Sequence, residues 1–134
     1  MKRQISSVIA ALVLVIAIPA AALAAPAKSA FTGSWESTDI PDGSHQTLVV
    51  SAGSRPSVVF QDFYATGCAT FSNIGSTHWV AAGKGEVDGD TLWISYNKSG
   101  CGTFLQGGYG DYVTYDAGSD TLIDSAGIIW SRTN

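Results

Sequence analysis

Cys68 and Cys101 are the only thiols in this chain, and His45 and His78 its only imidazoles. A catalytic histidine needs a nucleophile and an orienting group within hydrogen-bond reach. No motif here assembles one, and Gly-x-Ser-x-Gly is absent. We therefore assign no catalytic residue and read both histidines as strand residues. The two cysteines form no Cys-x-x-Cys and have no neighbouring histidine, so a metal site gains no support. In an oxidising compartment, a lone pair in a small domain is expected to form a disulfide. Of the acids, Asp42, Asp88, Asp90, Asp116, Asp120 and Asp124 fall at or beside strand ends, where Asp bonds nearby backbone amides. No calcium-loop pattern appears, and no cofactor is implied.

The aromatic side chains carry more functional promise than the titratable ones. Trp79, Trp93, Tyr96, Tyr109, Tyr112 and Tyr115 exceed what a small core must bury. Rings with a polar handle suit apolar pockets, sugar faces and protein interfaces. Phe60, Asp62, Tyr64, Trp79, Tyr96 and Tyr112 are the expected lining of a ligand site, with Asp62 as an acceptor sharing the face of Phe60. Trp93 alternates against Leu92, Ile94 and Tyr96. If those three face a core, Trp93 faces solvent or a partner.

Short β-rich runs must position these residues, because no stretch from Phe31 onward shows a helical period. Turn chemistry separates the runs at Pro41-Asp42-Gly43-Ser44, Ala52-Gly53-Ser54-Arg55-Pro56, Asp88-Gly89, Ala117-Gly118-Ser119-Asp120 and Ser125-Ala126-Gly127. Strands are expected over 46–50, 57–64, 77–87 (bent near Gly83 and Gly85), 91–97, 103–105, 109–116 and 121–123, with others at each end. Residues 65–76 read as a long loop carrying Cys68, and Lys98 to Gly102 as a turn bringing Cys101. Eight or nine strands with tight local connections predict an all-β fold. An up-and-down antiparallel barrel of about eight strands is the expectation, because closure removes exposed edges. A β-sandwich is the alternative.

The first residues read as a leader and not as part of this fold. Lys2 and Arg3 precede an apolar run from Val8 to Ile18, and Ala22-Leu23-Ala24 supplies a small-x-small cleavage pattern. Residues 1–24 are the expected signal helix, 25–30 a flexible lead-in and 31–134 one domain. The apolar run is shorter than the ~20 residues of a membrane span, so secretion without a stable anchor is expected. After cleavage, five basic residues stand against eleven acidic ones, a formal charge of −6. Such a balance repels phosphate backbones and argues against nucleic acid as a partner.

Phe31-Thr32-Gly33-Ser34-Trp35-Glu36 at one end and Gly127-Ile128-Ile129-Trp130-Ser131-Arg132 at the other resemble the calycin pattern of lipocalins, fatty-acid-binding proteins and avidins. The resemblance implies a barrel whose first strand, through Gly33 and Trp35, plugs one end, with Arg132 packed across the Trp35 ring. The lipocalin Thr-Asp-Tyr motif and C-terminal helix are missing, and no avidin ligand residue has a matching position. The functional expectation is a non-catalytic binding module, either holding a small apolar or amphipathic ligand inside the barrel or meeting an extracellular protein or glycan through its surface.

Overall fold

A computed structural model describes residues 29–63, 68, 77–102 and 104–133. The expected leader, most of the expected lead-in, Tyr64 and residues 65–76 apart from Cys68, read above as a loop, lie outside the described residues. No helix among the described residues is long and apolar enough to cross a membrane. Nine strands follow in chain order: β1 (Gly33–Thr38), β2 (His45–Val50), β3 (Ser57–Phe63), β4 (Trp79–Asp88), β5 (Thr91–Cys101), β6 (Phe104–Gln106), β7 (Tyr109–Asp116), β8 (Thr121–Asp124) and β9 (Ile129–Thr133). Every pairing is antiparallel, and β9 returns to β1 through Trp35–Arg132 and its neighbours. Pairing of β4 with β5 completes the ring.

Both β6 and β7 lie along β5, at Ser99–Cys101 and Thr91–Tyr96 respectively. They act as one strand interrupted at Gly107-Gly108, which makes the closed barrel eight-stranded. The interruption sits where no side chain fits: a Cβ on Gly108 would lie 1.7 Å from the Tyr96 carbonyl oxygen. One continuous closed ladder replaces the sandwich alternative.

Strand β5 differs from the sequence expectation. It continues through Cys101 instead of turning after Asn97. The register of β4 against β5 shifts between Ala82 and Gly83, leaving Asn97 as an extra residue on β5. That bulge switches the inward face from Leu92, Ile94 and Tyr96 to Ser99 and Cys101, all of them buried. The Asp88-Gly89 signal does form a hairpin, with Gly89 at φ 60° supplying the positive angle of a two-residue loop.

The core is packed from inward residues of all the long strands. Trp35, Leu48, Val50, Val58, Leu92, Val113, Leu122 and Trp130 belong to one buried cluster, with Phe60 and Tyr115 packed against it. Cys68 and Cys101 are bonded, with Cα atoms 5.5 Å apart, and form a second buried cluster with Trp79 at the opposite end of the barrel.

Arg132 holds the first end shut. Its guanidinium lies 4.0 Å from the centroid of the Trp35 ring. It donates to the carbonyls of Thr32 (2.8 Å) and Ala30 (2.7 Å) and to the Asp120 carboxylate. The hydrogen bond from Arg132 holds the Asp120 carboxyl below its ordinary range. A depressed folded-state value means stability present above the unfolded carboxylate pKa of about 3.9 and lost as pH falls through the folded value. Thermal unfolding followed from about pH 7 down to about pH 2 is therefore expected to show wild type more stable than Asp120→Asn near neutrality, with the gap closing below about pH 4. Asp120 has φ 50°, a conformation that asparagine also tolerates, so the variant removes charge without adding strain.

Candidate functional site

Alternation along the strands sorts the expected site residues onto two sides of the wall. Phe60 and Asp62 of β3, Trp79 of β4 and Tyr96 of β5 face inward toward the end opposite Arg132. Asp62 is buried, but its carboxylate is engaged by Ser44 Oγ at 2.5 Å and by Gln46 Nε2 at 3.4 Å. Tyr64 lies outside the described residues. Tyr112 corrects the sequence expectation of an inward tyrosine: it stands on the outer face, directly opposite Trp93. The reason is register. Val113 pairs with Leu92, and both are buried, so the inward set on β7 is Tyr109, Asp111, Val113 and Tyr115.

Trp93 is 53% exposed and Tyr112 38%, with ring centroids 5.2 Å apart and planes tilted by 47°. On the three strands here, the outward residues form two rows. Glu86, Trp93 and Tyr112 make one; Lys84, Ser95 and Gly110 make the other. The missing side chain at Gly110 and the short one at Ser95 leave a floor below the two rings. Arg55, from the β2–β3 turn, joins Lys84 along the same depression, which encloses about 350 Å³. Lys84 Nζ also donates to Ser57 Oγ at 2.7 Å. Sequence reasoning placed Trp93 outside but missed its companions, because Arg55, Lys84 and Gly110 join it only through pairing between strands.

Inward side chains of the described residues pack much of the barrel interior. Between the polar-end side chains a cavity of about 70 Å³ remains, lined in part by Gln46, Phe60, Tyr96, Asp111, Asp124 and Trp130. Asp124 is fully engaged: Oδ1 accepts from the amides of Ala126 and Ile128, each at 2.9 Å, and Oδ2 from Trp130 Nε1 at 3.0 Å. Burial, followed by the neighbouring Tyr109, Asp111 and Asp124, raises the Tyr96 phenol well above its ordinary value. It stays protonated across the physiological range. Tyr109 is raised too, first by burial, against a hydrogen bond with Trp79 that lowers it.

His45 and His78 both stack against Phe63, at centroid distances of 5.7 and 4.6 Å. No group of three or more His, Cys, Asp or Glu side chains able to hold a metal occurs among the described residues.

Fold and surface together define a closed eight-stranded up-and-down barrel with a packed core cluster, a polar end and an aromatic depression on its outer wall. No protein-family model, curated protein or solved structure significantly matches the chain.

Proposed function

We propose that this protein is an exported, non-catalytic binding module that takes a carbohydrate on its outer wall, at Trp93 and Tyr112. The observation that carries this reading is the exposed pair of rings, Trp93 and Tyr112, over an outer depression. A larger depression of about 490 Å³ beside Glu36, His45 and Ile129 is lined by no Trp or Tyr. The depression under the two rings, about 350 Å³, falls within the ~300–1,000 Å³ usual for small-molecule sites. By contrast, the interior cavity among the described residues, about 70 Å³, is far below that range. This disfavours the expectation of an apolar or amphipathic ligand held inside.

A sugar ring presents apolar C–H faces edged by hydroxyls. The open faces of Trp93 and Tyr112 suit the first, and the nearby Arg55, Lys84 and Glu86 suit the second. Two basic side chains, Arg55 and Lys84, and two acidic ones, Glu86 and Asp111, line this depression, so its formal charge is balanced and neutral sugar hydroxyls suit it at least as well as an anionic glycan. The disulfide is consistent with an oxidising compartment.

A glycan array probed with the disulfide-bonded protein tests the reading. Retention of neutral glycans at least as strong as that of acidic ones is expected. Trp93→Ala is expected to weaken it by at least about tenfold, the scale of one lost ring contact. Wild-type retention by Trp93→Ala and Tyr112→Ala, or no retained glycan at all, would remove this reading. A protein partner on the same face would then be the one to pursue.

A further inference from the structure

The polar end of the barrel contains a second arrangement, which shares only Asp111 with the lining of the outer groove. Gln46 is 5% exposed, and its amide nitrogen turns to the Asp62 carboxylate. Its Oε1 is buried and without a hydrogen-bond partner among the described residues, and the side chain lines the small cavity. A buried carbonyl in that condition calls for a donor. Asp111, on the same cavity, accepts from Ser125 Oγ (2.6 Å) and the Tyr112 amide (2.8 Å), both on Oδ1, so its second oxygen retains its acceptor capacity. Asp124 adds a second carboxylate, although its oxygens already have partners. The remaining walls include the rings of Phe60, Tyr96 and Trp130, and no Lys, Arg or His lines the cavity.

The chemistry of these walls is complementary to one kind of guest. An amide carbonyl without a partner, a carboxylate with spare acceptor capacity and aromatic rings attract a cation that carries N–H groups, in competition with the Tyr96 and Tyr109 phenol O–H groups on the same walls. A volume of about 70 Å³ exceeds the ~10–15 Å³ needed for one water, but limits the guest to a few heavy atoms. Tyr109, 40% exposed at the rim, marks a route from solvent.

We infer that the polar end of the barrel binds a small primary ammonium group, its N–H donors given to Gln46 Oε1 and the Asp111 carboxylate against the Tyr96 and Trp130 rings. The site shares Asp111 with the lining of the outer groove, whereas Gln46 belongs to the polar end alone.

Methylammonium chloride is the probe, titrated into the full disulfide-bonded protein while tryptophan fluorescence and the thermal midpoint are read. Sodium chloride and tetramethylammonium chloride at the same ionic strength are the controls. A saturable fluorescence change and a rising midpoint are expected with methylammonium alone, because sodium has no N–H donors and tetramethylammonium lacks them too and is larger. Gln46→Met and Asp111→Asn are each expected to weaken the response by at least about tenfold, while Trp93→Ala leaves it unchanged. If Asp111→Asn does not fold, Gln46→Met carries the test alone. A response shared by all three salts, no saturable response, or full retention in Gln46→Met would overturn the site and leave the cavity to water.

Discussion

Trp35→Ala is expected to lower unfolding stability by about 3–5 kcal/mol, the range for truncating a buried large aromatic. Guanidinium or thermal unfolding of the disulfide-bonded protein would measure it. Three losses combine at this position. The indole is fully buried in the main core cluster, so its removal leaves a cavity between β1 and the strands across the barrel. Its Nε1 donates to the Phe31 carbonyl at 2.9 Å, and that acceptor would lose its indole donor. Arg132 would lose the ring beneath its guanidinium, although its bonds to Asp120, Thr32 and Ala30 would remain. Trp35→Phe separates these contributions, since it keeps an aromatic ring but no N–H. It is expected to retain more than half of the stability lost in the alanine variant. A loss under about 1 kcal/mol for Trp35→Ala would mean that the plugged end contributes little to barrel closure.

Removing the disulfide is the second large perturbation. Cys68 and Cys101 are separated by 33 residues. In the chain-entropy picture, opening a loop of that length costs roughly 3–4 kcal/mol of stability through the unfolded state. Cys68→Ser with Cys101→Ser, or reduction of wild type, is expected to lower the midpoint by on the order of 15–30 °C for a domain of this size. Urea unfolding of oxidised and reduced protein gives the energy directly. Trp79 packs on the bonded pair, and Trp79 is hydrogen-bonded to Tyr109. A second readout is therefore a change in tryptophan fluorescence of the folded reduced protein. The far end, built on Trp35 and Arg132, is expected to keep its near-native packing.

Local chemistry made much of the fold legible. The turn at Pro41-Asp42-Gly43-Ser44 forms where expected: Gly43 has φ 72°, and its amide donates to the Asp39 carbonyl at 2.9 Å. Asp124 likewise bonds the amides of Ala126 and Ile128 around the turn before β9. Such bonds span a few residues, so composition reveals them. The end of β5 was not legible, because Asn97 carries no mark of a bulge. Only the pairing of Ala82 with Lys98 and of Gly83 with Tyr96 makes it one extra residue.

The site divides in the same way. The alternation of Leu92, Trp93 and Ile94 shows which residues share a face, and the apolar pair places Trp93 outside. For β7, the set of Tyr109, Asp111, Val113 and Tyr115 and the set of Gly110, Tyr112 and Thr114 both mix aromatic and polar residues. Neither composition says which set turns inward. The antiparallel partner decides it, since Tyr112 lies opposite Trp93 and must share its side of the sheet.

Alone, then, the sequence determined an all-β chain, most of its turns, the alternation of its strands and an available cysteine pair, because each rests on nearby residues or on composition. Tertiary structure decided the single closed ring, the fate of Tyr112 and the union of Arg55 and Lys84 with two aromatic rings. It also decided that Gln46 faces Asp62 on one side and a small acidic cavity on the other. These depend on which residues stand opposite one another across strands far apart in the chain, and a shift of one position exchanges the two faces.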